Sequence, residues 1–122
     1  MTPVRVLLVE DEHLIRCLAA EALREDGFDV IEAADGAEAV DQLVYPDDVD
    51  VLFTDVRMPG AFDGIELAIR ARKMVPGLPV IVATGYASQV ASRLEALDPP
   101  ALFLRKPYSI RQVSEMVRQV TR

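Results

Sequence analysis

The sequence is poor in the residue types from which many protein sites are built. It has one cysteine, one histidine and no tryptophan, and only 6% of its 122 residues are aromatic. Cys17 has no second cysteine with which to form a disulfide, and together with His13 it is too little for a structural zinc site of cysteine and histidine ligands. The chemistry of any functional site must therefore come from oxygen atoms.

Several sequence motifs are missing as well. No apolar run approaches the roughly 20 residues of a membrane span, and no basic segment followed by a long apolar stretch resembles a secretion signal. The glycine-rich nucleotide fingerprints and the serine-hydrolase elbow are also absent. With a single cysteine, these absences lead us to expect a cytoplasmic chain that does not insert into membranes.

The charge is unevenly placed along the chain. Thirteen basic and 20 acidic side chains give −7, of which residues 1–66 carry −13 (4 basic, 17 acidic) and residues 67–122 carry +6 (9 basic, 3 acidic). An acidic total disfavours non-specific binding of nucleic acid, which requires clustered lysine and arginine, so we expect no direct nucleic-acid partner. Half of the residues (51%) are hydrophobic in 13.5 kDa, which is enough for the core of one domain.

Short apolar strands alternate with helical patterns along the whole chain. Five runs read as strands: Val4–Val9, Asp29–Ala33, Val51–Thr54, Val80–Ala83 and Ala101–Leu104. Apolar residues at helical spacing predict five helices: His13–Glu25, a segment from Gly36 to Val44, Ile65–Met74, Ala87–Leu97 and a last helix capped by Ser109. This alternation predicts an α/β fold, a doubly wound five-stranded parallel sheet (flavodoxin-like, order 2-1-3-4-5) flanked by five helices.

Chemically useful residues follow the predicted strands. In doubly wound sheets, ligands bind beyond the carboxyl ends of the strands, near the point where the strand order reverses. Glu10 and Asp11 follow the first strand, Asp55 ends the third, Thr84 ends the fourth and Lys106 follows the fifth. Strands one and three are neighbours at the switch point, so we expect the three carboxylates to converge.

Converging carboxylates repel one another, so a site built in this way takes up protons or binds a cation. A few hard oxygen ligands supplemented by water suit Mg²⁺ or Mn²⁺. A carboxylate beside such a metal can attack phosphorus, while the Thr84 hydroxyl and the Lys106 ammonium can contact the phosphoryl oxygens. The residues therefore indicate phosphoryl transfer.

Four short motifs also carry a family resemblance. Val-Glu-Asp-Glu at 9–12, Thr-Asp-Val-Arg-Met-Pro-Gly at 54–60, Ala-Thr-Gly-Tyr at 83–86 and Lys-Pro at 106–107 resemble those of bacterial two-component response-regulator receiver domains (CheY-like). Each motif is weak alone, but the four occur in order over essentially the whole chain. The resemblance implies one receiver domain over residues 1–122, with no output domain in this chain.

The resemblance also implies roles for individual residues. Asp55 would be the phosphoacceptor, Asp11 a direct Mg²⁺ ligand assisted by Glu10, and the backbone carbonyl of Arg57 a further ligand. Thr84 and Lys106 would contact the phosphoryl group. Phe103 matches the family's aromatic switch position, although an aromatic residue on a strand is as readily plain core. The family further suggests a cis peptide bond between Lys106 and Pro107.

The implied function is a signalling switch and not a metabolic enzyme. A sensor histidine kinase or phosphotransfer protein would phosphorylate Asp55, and the modified domain, which assists its own phosphorylation and dephosphorylation, would change the face built by the fourth helix, fifth strand and fifth helix. An unknown downstream protein would bind that face. Either such a face or a merely solvated surface is formed by five residues: Arg105, Tyr108 and Arg111, with Val90 and Arg93.

Three other functions stay open at this point. A receiver that docks without phosphorylation is one, an FMN protein of the same architecture is another, and a phosphatase with an aspartyl nucleophile is the third. The acidic run Glu10-Asp11-Glu12 would repel an FMN phosphate. The phosphatase would need an acid two residues after Asp55, where this chain has Arg57. Glu10 itself departs from the aspartate frequent in receivers, which lengthens one ligand by a methylene.

Overall fold

The computed structural model describes residues 2–85 and 92–121. Its strands are β1 (Arg5–Val9), β2 (Asp29–Ala33), β3 (Val51–Asp55), β4 (Val80–Thr84) and β5 (Leu102–Arg105). Its helices are α1 (His13–Glu25), α2 (Gly36–Leu43), α3 (Gly64–Met74), α4 (residues 92–95 of the described part) and α5 (Ile110–Val120), with a short 3₁₀ helix at Pro46–Asp48. The first residues of the predicted fourth helix, with Tyr86 and Val90, lie outside the described residues.

All five strands are parallel and run in the order β2-β1-β3-β4-β5. The predicted fold class and strand order are therefore confirmed. Predicted strand ends differ by a residue: β3 and β4 include Asp55 and Thr84, and β5 is displaced toward Arg105. Such differences are expected, because pairing with a neighbour decides where a strand ends.

The sheet separates two apolar clusters, and strand alternation decides which residue enters which. Leu7, Val9 and Leu52 face α2 and α3, whereas Val6, Leu8, Val51 and Phe53 face α1 and α5. Glu10 and Asp55 continue the second series, since each lies two residues beyond a member of it. Both carboxylates therefore emerge on the α1–α5 side of the sheet.

The starts of α2, α3 and α5 are capped by local side chains. Asp35 and Asp63 accept hydrogen bonds from the backbone of Glu38 and Glu66 at the starts of α2 and α3. Ser109 and Gln112 form a reciprocal capping box at the start of α5, as the sequence predicts for Ser109. The segment between β5 and α5 is therefore short and held at its far end.

The apolar pattern of α1 is only partly buried. Ala19, Ala20 and Leu23 pack against the sheet, but Leu14, Ile15 and Leu18 at the beginning of the helix are exposed. Among the described residues, none of the helices has both the length and the apolar character that a membrane crossing requires.

Candidate functional site

The candidate site lies at the carboxyl edge of the sheet. Glu10 and Asp11 directly follow β1, Asp55 and Thr84 are the last residues of β3 and β4, and Lys106 directly follows β5. Because β1 pairs with β3, the carboxyl ends of these two strands lie side by side, which brings Glu10 and Asp11 next to Asp55. The structure therefore brings together the sequence-predicted residues from four strands.

Three carboxylates converge there. Glu10, Asp11 and Asp55 each offer an oxygen atom, and these atoms lie within 4.8 Å of one another. This spacing matches ligands that share one hard cation, and it is unfavourable for three negative charges left alone. The residues present therefore fit a divalent metal ion.

Glu10 is the most buried of these carboxylates, with 7% of its surface exposed. Its side chain accepts a hydrogen bond from the backbone N–H of Glu12 at 3.3 Å. Burial, and after it the charge of Asp55, raises the pKa of Glu10 above its ordinary value, although the Glu12 N–H and Lys106 act in the opposite direction. The charged form of Glu10 is therefore destabilised until a cation approaches.

Lys106 supplies a positive charge directly at Asp55. Its Nζ atom lies 2.9 Å from Oδ2 of Asp55, whose side chain is 11% exposed. The backbone N–H of Lys106 donates to the carbonyl of Thr84 at 3.0 Å, which ties the lysine to the end of β4. The ammonium therefore holds the carboxylate at its Oδ2 atom.

Thr84 and Arg57 border the same edge. Thr84 is buried at the end of β4, whereas Arg57 is exposed in the loop after β3 and lines a cavity of about 600 Å³ together with Asp11. Their predicted contacts, through the Thr84 hydroxyl and the Arg57 carbonyl, stay predictions.

Gly64 is a structural requirement of the site. Its backbone N–H donates to the carbonyl of Val56, and a Cβ atom added to it would lie 1.9 Å from the carbonyl oxygen of Asp55. Only glycine permits this approach. The signal in the sequence was the Asp-Gly pair directly before a helical pattern.

Phe103 lies on the edge strand β5, where it pairs with Val82. It is 38% exposed, so it is not a plain core residue, and its switching role stays a prediction. The peptide bond between Lys106 and Pro107 is cis, as the resemblance suggested; the bond between Asp98 and Pro99 is also cis.

A second cavity, of about 620 Å³, opens on the α1–α5 side of the site. Asp55, Glu10 and Lys106 form its polar end, while Ile15, Ala19, Tyr108 and Ile110 form its apolar wall. Tyr108 is half-buried and packs edge to face on Phe53, with ring centroids 5.6 Å apart. The Tyr108 ring therefore belongs to the wall of this cavity, and its place in a partner face stays a prediction.

A protein-family model and curated relatives match nearly the whole chain. The family model described as a response regulator receiver domain matches residues 6–118. The sensor kinase CckA of Brucella abortus is 37% identical over 116 residues, which are 94% of this chain but 12% of the kinase. The transcriptional regulatory protein TcrA of Mycobacterium tuberculosis is 37% identical over 120 residues, which are 98% of this chain and 46% of TcrA. The chain thus spans less than half the length of these two relatives.

Solved structures agree. A response regulator receiver protein from Sinorhizobium medicae superposes with a TM-score of 0.86 at 29% identity and covers 98% of this chain and 94% of its own. The response regulator TrrA of Thermotoga maritima, solved in complex with Mg²⁺–BeF, superposes with a TM-score of 0.81 at 30% identity and covers 96% and 98%. These comparisons give no support to the FMN alternative.

Proposed function

The chain belongs to the response regulator receiver domain family, and we propose that it works as a phosphorylation-dependent signalling switch whose phosphoacceptor is Asp55. A single observation carries the assignment of the acceptor. Asp55 has the Lys106 ammonium at 2.9 Å and oxygens of Glu10 and Asp11 within 4.8 Å. It is the one carboxylate in this cluster that has both a cationic partner and two carboxylate neighbours.

Glu10, Asp11 and Asp55 would hold a Mg²⁺ ion, with the backbone carbonyl of Arg57 as a further ligand; Mn²⁺ has the same preference for oxygen. When bound, the ion would neutralise charge on the acceptor and on the phosphoryl oxygens. The complex of TrrA with Mg²⁺–BeF supports this proposal, because TrrA has the same fold over nearly its whole length.

The transfer itself needs little from the protein beyond placement and charge. An Asp55 oxygen attacks the phosphorus atom, the bond between phosphorus and a partner's histidine nitrogen breaks, and an acyl phosphate forms on Asp55. Lys106 then pairs with a phosphoryl oxygen, and the Thr84 hydroxyl donates to another. In this way the receiver assists its own modification. Attack of water on the phosphorus atom, helped by the same groups, would break the bond to the Asp55 oxygen, release inorganic phosphate and restore the carboxylate.

The signal would leave through the face built by α4, β5 and α5. Thr84 lies on β4 and Phe103 on β5, and these strands pair with each other. Movement of Thr84 toward the phosphoryl group can therefore change the position of residues on β5. The partner upstream would be a sensor histidine kinase or phosphotransfer protein, and the target downstream another protein. We place these events in the cytoplasm.

Intact-mass analysis tests the acceptor directly. The protein is incubated with Mg²⁺ and acetyl phosphate, and the wild type should gain the mass of one phosphoryl group. Asp55→Asn should gain none, because the amide cannot form an acyl phosphate, whereas Asp63→Asn, a change in the α3 cap, should still gain it. Equal labelling of Asp55→Asn and wild type would contradict the assignment.

A receiver that docks without phosphorylation would show the opposite pattern. The wild type would stay unmodified under all phosphodonor and metal conditions. Turnover of simple phosphomonoesters, measured in parallel, would instead favour the phosphatase.

A further inference from the structure

We infer that Tyr108 is a positioning residue that holds Lys106 against Asp55, an inference that rests on the proposed function of Asp55. Tyr108 follows Lys106 by two residues, and Phe53 precedes Asp55 by two residues on β3. Lys106 contacts Asp55 and Tyr108 contacts Phe53. Two parallel contacts therefore join the segment after β5 to β3.

The spacing on β3 makes this pairing possible. Residues two apart on a strand point to the same face, so Phe53 and Asp55 both emerge toward α1 and α5. Phe53 is fully buried in the apolar cluster on that face, which fixes the ring against which Tyr108 packs. The acceptor and the aromatic anchor thus belong to one rigid strand.

The segment between β5 and α5 needs such an anchor in its middle. Its first residue is tied by the Lys106 N–H to the Thr84 carbonyl, and its last residue, Ser109, caps α5. Of the two residues between them, Pro107 has no backbone N–H to donate, and the Tyr108 ring packs on Phe53. The Tyr108 and Phe53 rings meet at an interplanar angle of 72°, an arrangement that aromatic pairs favour.

The Lys106 side chain does little to fix its own ammonium. The ammonium is carried on a flexible four-carbon stem, and the side chain is partly exposed. Because the stem can adopt many conformations, holding the backbone beside Asp55 raises the share of them in which the ammonium reaches the carboxylate. A displacement of about 1 Å between reacting groups is enough to slow a reaction up to about 100-fold.

The ring, and not the hydroxyl, carries the role. Burial, with smaller contributions from Glu10 and Asp55, raises the pKa of Tyr108 to about 12, so the phenol stays neutral and adds no charge to the site. Phenylalanine keeps the ring and its packing on Phe53. Tyr108→Phe should therefore behave as the wild type does.

The rate of Asp55 phosphorylation by acetyl phosphate in saturating Mg²⁺ tests the inference. Tyr108→Ala should slow it about 10-fold, Tyr108→Leu by an intermediate factor, and Tyr108→Phe by less than about twofold. The Mg²⁺ concentration for half-maximal rate should change by less than about twofold in all three, because Glu10 and Asp11 follow a different strand. Tyr45→Ala, the same change at a tyrosine that is 65% exposed, is the matched control and should leave the rate unchanged.

A double-mutant cycle separates positioning from general loosening. In a Lys106→Met background the ammonium is gone, so adding Tyr108→Ala should cause no further slowing if Tyr108 acts through Lys106. An equal 10-fold loss in both backgrounds would overturn the inference. So would a wild-type rate in Tyr108→Leu, which serves as the main variant if circular dichroism shows Tyr108→Ala to be unfolded.

Failure of this inference differs from failure of the proposed function. If the wild type takes no phosphoryl group, the proposed function is wrong and Tyr108 has nothing to position. If the wild type is labelled on Asp55 and the cycle is additive, the proposed function stands and the role of Tyr108 is refuted.

Discussion

The two ends of β1 carry similar sets of charged groups, three carboxylates and one cation, and use them in opposite ways. At the amino end, Arg5 lies 3.5 Å from Asp29 and 3.6 Å from Asp48, and its backbone N–H donates to Asp50 at 2.8 Å. The side chains are open to water, that of Asp48 being 58% exposed. The guanidinium thus pairs with two of the carboxylates separately, and the backbone N–H of the same residue satisfies the third.

At the carboxyl end the carboxylates meet one another instead. Glu10, Asp11 and Asp55 lie within 4.8 Å, and Lys106 contacts Asp55 from one side. Glu10 is buried, and its raised pKa records the cost of holding charge there. The same number of charges therefore gives a solvated ion-pair cluster at the amino end. At the carboxyl end it gives a cluster that is unfavourable without a cation, because the carboxylates lie close together and Glu10 is buried.

Loss of one carboxylate at each end should separate the two clusters most clearly. We expect Asp11→Asn to weaken Mg²⁺ binding at least about 10-fold, since outer-shell changes alone cost that much at metal sites. Asp48→Asn should leave Mg²⁺ binding unchanged, because its partner is already Arg5. Isothermal titration calorimetry with MgCl₂ measures both.

Thermal unfolding with MgCl₂ provides the control. The ion should raise the stability of the wild type by about 2.7 kcal/mol when present at 100 times its dissociation constant. If Mg²⁺ stabilised Asp11→Asn and Asp48→Asn equally, the expected difference between the two ends of β1 would be wrong.

The pH dependence of stability should also differ between the ends. The pKa of Glu10 is raised in the folded protein, so its stabilising contribution is present below the unfolded value near 4.5 and is lost as the pH rises through the folded value. Without metal, Glu10→Gln should therefore stabilise the protein at pH 7 by more than the roughly 0.5 kcal/mol scatter of surface changes, and should give no gain at pH 4.

Asp29→Asn is the matched change at the amino end. It removes a carboxylate that has a cation beside it, so it should destabilise slightly or have no effect at pH 7. Urea unfolding at the two pH values, with and without MgCl₂, measures both variants. A stabilising Glu10→Gln that persists in saturating Mg²⁺ would contradict the explanation, since the ion should remove the repulsion.

The smallest effect concerns salt. Arg5→Met should cost less than about 1 kcal/mol, and the cost should vanish in 1 M NaCl, where the Debye length is about 3 Å. Lys106→Met leaves the largely buried Asp55 without its partner, so more of its cost should survive in high salt. Urea unfolding at low and high NaCl tests this, and equal salt sensitivity of the two variants would remove the distinction.

Local patterns were enough for the elements and their order. The apolar strands, the helical patterns and the Ser109 cap are each recognisable over a few residues, and β2 and α1 have the predicted bounds. The parallel order followed from their alternation. The residues at strand ends could be named in advance for the same reason, because a parallel sheet brings its carboxyl ends to one edge.

Other features required contacts between distant parts of the chain. The exposure of Leu14 and Leu18 does not follow from helical spacing, since the pattern marks an apolar face but not whether another element covers all of it. The role of the Tyr108 ring depends on Phe53, which lies 55 residues earlier in the sequence. The need for glycine at position 64 arises because the Asp55 carbonyl occupies the space that a side chain would fill.

The sequence by itself determined which groups are present and at which edge of the sheet they emerge: Glu10, Asp11, Asp55, Thr84 and Lys106. Tertiary structure alone decided that the carboxylates come within 4.8 Å of one another, that Glu10 is buried and that Lys106 reaches Asp55. The physical reason is that alternation along a strand is a local property, whereas electrostatic energy depends on distance and on exposure to water. Both quantities are set when β1, β3 and the segment after β5 pack together.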